Sequence, residues 1–236
     1  MEKLLLLVFV ATLPISSLSQ GLNGSELLEK AIFYHDPQDQ WKSFQDSFLV
    51  TMESPNRPVR KSEISLDLQR SYFGLKVEQS GIKLNYVLEG DKCSLLLNGR
   101  SDFSTEEAEA NQLNCKRAYL MKDYYTYLYL LPMKLRDPGT KLDPVVQKKK
   151  FRGKDYLVLR VTYDQEVGED TWYFYFNPET YALEVYQFFH NESENDGEYI
   201  LLQGEETIQG IRMPKVRAWY YNKDDAYLGT DTLNAN

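Results

Sequence analysis

The sequence predicts a mostly β domain of the α+β kind, built on one large curved antiparallel sheet or an open barrel. Three observations predict it. Apolar and polar residues alternate along a series of short segments, which gives each segment one buried and one wet face. Gly, Asn, Asp and Pro punctuate the joints at hairpin spacing. The 18 Tyr, 11 Phe and 3 Trp form a composition suited to pleated surfaces.

A leader comes first. Met1-Glu2-Lys3 is a short basic region, Leu4 to Val10 is apolar, and Ser17 and Ser19 are small. This predicts a signal peptide over residues 1–19, cut between Ser19 and Gln20. Thr12, Pro14 and Ser16-Ser17 stop the apolar run well short of the ~20 residues that span a bilayer. No cysteine stands at the cut, so no lipid anchor and no transmembrane anchor are expected. Residues 20–236 read as a single domain with a helical insert at about 104–135.

That domain opens with a helix. Ser25 is the expected cap, Glu26 suits the dipole, and Leu27, Leu28, Ala31 and Ile32 share a face. Pro37 stops the helix near His35. A strand meander follows: Phe48 and Val50, then Ile64, Leu66 and Leu68, then Tyr72 to Val77, Ile82 to Leu88, and Leu95 and Leu97. Ser80-Gly81, Glu89-Gly90-Asp91 and Asn98-Gly99 are its turns.

The middle changes period. Ser104-Thr105-Glu106-Glu107 is a capping box. A longer helix is predicted from about Cys115 to Leu131, with Leu120, Met121, Tyr124, Leu128 and Leu131 on one stripe and Pro132 ending it. This is the most apolar part of the chain after the leader. It can pack on the sheet as core, or line and cover a cavity.

Strands then resume at Tyr156 to Tyr163, Thr171 to Asn177 and Ala182 to Phe189. Further strands are expected at Tyr199 to Leu202, Thr207-Ile208, Val216 to Tyr221 and Ala226 to Leu228, with Gly210 and Pro214 at bends. In the strand at Trp172, one face should bury Trp172, Phe174 and Phe176. The other should show Tyr173 and Tyr175 to water.

Charge and chemistry narrow the function. A net charge of −8 with no basic tail argues against nucleic acid as a partner. Lys148-Lys149-Lys150 reads as a solvated edge strand, where lysines discourage pairing with other chains. Cys93 and Cys115 are the only cysteines and match no metal or redox spacing, so a disulfide between them is the candidate. Nucleophile-elbow, zincin and glycine-rich phosphate motifs are absent from the sequence. Only two histidines occur. His35 is expected as a cationic helix cap rather than a ligand with Asp36 and Asp39, and His190 as a turn entry. The acidic segments Asp164 to Asp170 and Glu192 to Glu198 read as hairpin loops. No catalytic residue, metal or cofactor is expected, and the chain is not read as an enzyme.

The order of parts carries a resemblance. Ala31-Ile32-Phe33-Tyr34-His35, Tyr127-Leu128-Tyr129-Leu130-Leu131-Pro132, Leu135-Arg136-Asp137-Pro138-Gly139, Phe151-Arg152-Gly153-Lys154-Asp155-Tyr156, Phe176-Asn177-Pro178-Glu179-Thr180 and Gly210-Ile211-Arg212-Met213-Pro214 are its segments. With them the chain resembles the LolA-like superfamily of bacterial envelope proteins, and within it an uncharacterised family of exported proteins. The match runs over roughly Ser25 to Leu228. The resemblance implies an unclosed antiparallel barrel with helices packed in its concave face. It also implies a periplasmic binding or carrier protein for a lipid, a lipoprotein or another apolar ligand. The expected groove residues are Tyr124, Tyr127, Leu128, Leu131, Met133, Trp172, Phe174 and Phe176. Two other readings stand beside it: an envelope protein–protein interaction module that carries no ligand, and a hydrolase with dispersed carboxylates.

Overall fold

The computed structural model describes residues 21–235. The leader at residues 1–19 and its cut site lie outside the described residues.

The chain runs α1 (Gly24–His35), β1 (Gln45–Glu53), β2 (Arg60–Asp67), β3 (Tyr72–Gln79), β4 (Ile82–Glu89) and β5 (Lys92–Leu97). Two helices follow, α2 (Thr105–Ala110) and α3 (Cys115–Tyr129). The second half is β6 (Thr140–Leu142), β7 (Gln147–Phe151), β8 (Lys154–Tyr163), β9 (Thr171–Phe176), β10 (Leu183–Phe189), β11 (Glu198–Ile208), β12 (Ile211–Tyr221) and β13 (Tyr227–Ala235). All thirteen strands form one antiparallel sheet that does not close on itself. Its order is β5-β4-β3-β2-β1-β13-β12-β11-β10-β9-β8-β6, with β7 also on the outer side of β8.

Local sequence explains the meander. Ser80-Gly81 and Asn98-Gly99 both take positive φ at each central residue, the mirror-image turn whose twist matches a two-residue hairpin. The same turn recurs at Arg152-Gly153 and Gln209-Gly210. The two halves then join at the middle of the sheet through the first and last strands of the chain: Phe48 of β1 faces Ala235 of β13, and the pairing runs to Glu53 and Thr230.

One continuous core fills the concave side. It takes Leu27, Leu28, Ala31 and Ile32 from α1, Tyr125, Leu128 and Tyr129 from α3, and inward residues of the strands from both halves. The meander contributes Phe48, Ile64 and Phe73, and the far side Leu159, Phe174 and Ile200. Helices thus sit in the hollow of the sheet, as anticipated.

Four expectations need correction. The cap of α1 is Asn23, not Ser25. Asn23 accepts from the Glu26 amide at 3.0 Å, and Glu26 returns a bond to the Asn23 amide at 2.9 Å. Only Asn23 has an acidic residue three positions on, as the reciprocal box requires. Next, the late strands are longer and fewer: β11 and β12 each run eleven residues, and Gly210 closes a tight turn between Ile208 and Ile211. Pro214 is no bend. It lies inside β12 facing Glu205, at a point where pairing with β13 has not begun, so its missing N–H costs no ladder bond there.

The third correction concerns β9, whose second face is also covered. Tyr173 and Tyr175 are buried in a small convex-side cluster with Tyr156, Val158 and Val185, against Phe151 of β7. The lysine-bearing strand β7 is a sheet edge that pairs only with β8, and Lys149 caps the Tyr173 ring at 4.2 Å. Last, the stripe of α3 is rotated. Ala118, Tyr125, Leu128 and Tyr129 are buried, whereas Leu120 is 54% exposed.

Candidate functional site

The feature with most chemical content is the hollow between α3 and the sheet. Asn114 caps α3, accepting from the Arg117 amide at 2.8 Å. The first helical residue, Cys115, is bonded to Cys93 of β5, with Cα atoms 6.0 Å apart. The helix is therefore tied by its N-terminal end to a sheet edge. Its C-terminal half carries the aromatics across the hollow. Tyr129 stacks on Phe48 at 5.2 Å between centroids, and the Arg217 guanidinium lies 3.9 Å over the Tyr129 ring.

The structure divides the expected groove residues in two. Leu128, Leu131, Met133, Phe174 and Phe176 are buried core. Tyr124, Tyr127 and Trp172 keep part of their surface. These three do not stand alone. Tyr127 meets Trp172 edge-on at 5.6 Å, and Trp172 reaches Phe188 at 4.8 Å and Tyr186 at 6.1 Å. Tyr186 meets Trp219 at 6.4 Å, and Trp219 stacks on Tyr124 at 6.5 Å. An unbroken aromatic belt thus leaves α3, crosses β9, β10 and β12, and returns to α3.

Each end of the belt opens into a cleft of about 440 Å³. The first cleft lies between α3 and the β8–β9 connection, with Tyr127, Tyr163 and Trp172 in its wall. The second lies between α3 and the ends of β1, β12 and β13, with Met52, Tyr124, Trp219 and Leu228 in its wall. Both volumes fall in the range of small-molecule sites. The first mixes its rings with Asp123, Lys134, Asp137 and Asp170, and the second is more apolar, with Arg57 and Glu198 among its lining.

Electrostatics within the belt follow burial. The Tyr127 and Tyr163 hydroxyls hydrogen-bond each other. Burial pushes the Tyr127 phenol well above its ordinary value, and burial holds Tyr163 at about 12. Tyr124 and Tyr129 are likewise raised by burial, and Tyr186 is raised for the same cause. All are neutral phenols at physiological pH, able to donate or accept a hydrogen bond but not to act as bases. Trp219, Tyr163 and Tyr186 were not among the expected groove residues.

The histidines take other roles. His35 is buried rather than a charged cap. Its Nδ1–H donates to the Arg212 carbonyl at 2.6 Å, and its Nε2 accepts from the Leu183 amide at 2.9 Å. Only the neutral ring can do both, and burial lowers its pKa accordingly. His190 pairs with Asp170 at 2.6 Å on the surface, and that bond raises its pKa. Among the described residues, no group of three or more His, Cys, Asp or Glu side chains is placed to hold a metal ion. No described helix is long and apolar enough to cross a membrane.

The family described as "Family of unknown function (DUF6503)" matches residues 3–236. No curated protein matches the chain. Among solved structures, a LolA superfamily protein from Nitrosomonas europaea superposes with a TM-score of 0.52 at 13% identity, over 90% of this chain and 91% of that one. A domain from Vibrio parahaemolyticus named for outer membrane lipoprotein sorting gives 0.48 at 10% identity, over 90% and 92%. A DUF1329 family protein from Desulfovibrio piger gives 0.47 at 11% identity, over 89% and 91%. The first of these likenesses supports the fold alone: an unclosed LolA-like sheet around internal helices.

Proposed function

This chain belongs to the DUF6503 family of unknown function, and from that membership and its LolA-like fold we propose that it is an exported, periplasmic binding or carrier protein for an apolar ligand. The ligand class is a lipid, or the acyl chains of a lipoprotein. The observation that carries this reading is the aromatic belt with a cleft at each end. A packed core needs no such openings. Mostly buried Trp and Tyr rings with an accessible edge offer an apolar surface that tolerates water, which suits a greasy ligand at a wet mouth. Tyr127, Trp172, Trp219 and Tyr124 would contact the chain. Leu128, Leu131, Met133, Phe174 and Phe176 would join them only when α3 moves away from the sheet. The protein is proposed to work without catalysis, cofactor or nucleic acid.

One observation favours the alternative, an interaction module without ligand: five of the eight expected groove residues are already sealed by the protein's own helix. Tryptophan fluorescence separates the two. Trp172 and Trp219 lie on the belt, while Trp41 lies apart beside α1 and is 8% exposed. Brominated acyl chains should quench the emission of the two belt tryptophans. Trp172→Asp should weaken binding by roughly tenfold or more, because a charge would stand on the apolar contact. Absence of quenching by any apolar chain would sink the carrier reading in favour of the interaction module.

A further inference from the structure

A row of polar side chains crosses the concave face beside the second cleft. Strand pairing places Arg60 opposite Met52, Met52 opposite Asp231, and Asp231 opposite Arg217. Cross-strand partners project to the same side, so all four point into the hollow from β2, β1, β13 and β12. Arg217 and Asp231 are each only 1% exposed. Charges this deep are normally paired. Here, among the described residues, neither arginine closes an ion pair with Asp231. Arg217 instead turns its Nη atoms to backbone oxygens, donating to Pro214 O at 2.7 Å and to Leu128 O at 3.5 Å.

Several buried polar atoms around this row are left without a hydrogen-bond partner among the described residues. They are Nε of Arg60 and of Arg217, the hydroxyls of Ser62, Tyr125, Tyr129 and Tyr186, the Trp219 indole nitrogen, and Oδ1 of Asp231. The hydroxyls of Tyr125, Tyr129 and Tyr186 all lie within the electrostatic reach of Asp231. Tyr125 stands beside Ser62 and Arg60, Tyr186 beside Arg217, and Trp219 and Tyr124 beside Asp231, so these groups form one connected polar cluster. The guanidinium and indole N–H groups can only donate, and the hydroxyls can donate too. Asp231 is the one carboxyl against two guanidinium groups. A buried cluster so rich in donors, with two guanidinium groups to one carboxyl, is complementary to an anionic acceptor. Met52 belongs both to the row and to the second cleft, and Trp219 and Gly229 of that cleft stand two residues from Arg217 and Asp231 along the same strands. Two residues of extended strand cover about 7 Å. The row therefore lies just behind the wall of the second cleft, which Met52 joins to it.

We propose that this row seats the carboxylate head of an acyl amphiphile, a long-chain fatty acid, whose tail follows the aromatic belt. The inference rests on the carrier reading and adds the charge and position of the ligand's head. Its test compares palmitate with methyl palmitate, which has the same chain without the charge, by calorimetric titration of the purified protein. Palmitate should bind roughly tenfold or more tightly, the effect of charge-assisted hydrogen bonds in a buried site. Arg60 stands at the rim and is only partly buried. Arg60→Gln should bring palmitate down to the level of the ester and leave the ester unchanged. Asp231→Asn removes the one like charge and should tighten palmitate severalfold. Equal affinity of the wild-type protein for acid and ester would overturn this inference while leaving the carrier reading intact. An equal loss of both ligands in Arg60→Gln would also overturn it, by showing a merely structural role. Binding of neither ligand to the wild-type protein would overturn both readings.

Discussion

Two helices occupy the same hollow and are held there in opposite ways. The helix α1 is bolted. Its apolar face is fully buried, its first turn is closed by a reciprocal cap, and its last residue, His35, bonds to β10 and β12 at once. The helix α3 is tethered at one end by the Cys93–Cys115 bond, and elsewhere it is held mainly by ring packing, with the Tyr127–Tyr163 bond and a long bond from Arg217 to Leu128 O. The hydroxyls of Tyr125 and Tyr129 are buried with no partner among the described residues. Complementary hydrogen bonds fix a position, whereas ring packing with unmet hydroxyls tolerates several. The contrast sets α1 apart as the more firmly fixed of the two.

The strongest way to break this contrast is at His35. His35→Ala would remove two buried bonds and leave the Leu183 amide and the Arg212 carbonyl unpartnered, at a cost of roughly 3 kcal/mol or more. Urea denaturation measures it, and a loss under 1 kcal/mol would mean that α1 is not bolted. The same residue has a pH signature. Its folded pKa lies below its ordinary 6.5, so the unfolded chain takes up the proton first. Its stability contribution is complete above that value and erodes as pH falls from about 6.5 toward the lowered folded value, by at most about 1.4 kcal/mol per pH unit. The erosion should be absent from His35→Ala. His190, with its raised pKa, works in the other direction, but its ring is exposed and its pair with Asp170 is screened.

Removal of the tether comes next. Cys93→Ser with Cys115→Ser should cost about 3 kcal/mol for a bond that closes a loop of this size. Hydrogen exchange should then quicken in the first turns of α3 and stay unchanged in α1. Equal acceleration in both helices would erase the distinction. The smallest effect is the sharpest. Tyr125→Phe and Tyr129→Phe delete hydroxyls that satisfy nothing, so stability should move by less than about 0.5 kcal/mol or rise. Tyr127→Phe breaks the bond to Tyr163 and should cost about 1 kcal/mol. Thermal unfolding of the three variants side by side checks the ranking.

Much of the scaffold was legible in sequence because its signals are local. The turns at Ser80-Gly81 and Asn98-Gly99, the box at Ser104, the C-terminal end of α1 and the start of α3 follow from residues a few positions apart. The open sheet and its internal helices came from the resemblance in the order of parts. Of the aromatic belt, the sequence singled out Tyr124, Tyr127 and Trp172. Their partners Trp219 and Tyr186 come from strands far along the chain, and no local period reveals which rings meet. The polar row is harder still. In Val216-Arg217-Ala218-Trp219, hydrophobic alternation alone would turn Val216 and Ala218 inward, yet Arg217 is the buried residue. A charge placed on the buried side defies the rule from which strands are read, and sites of function are where that rule is expected to fail. Pro214 misled for a similar reason: whether a proline breaks a strand depends on whether a neighbour needs its N–H.

The pairing of β1 with β13 sets the order in which this protein can be completed. Phe48 must find Ala235 across nearly the whole described chain, so the central seam of the sheet has high contact order and closes late. The row from Arg60 through Met52 and Asp231 to Arg217 straddles that seam. A chain still being synthesised can form the β2–β5 meander, but it cannot yet assemble the row. That cluster exists only in the finished molecule, and a chain cut short before β13 lacks Asp231 and the seam that joins its two sides.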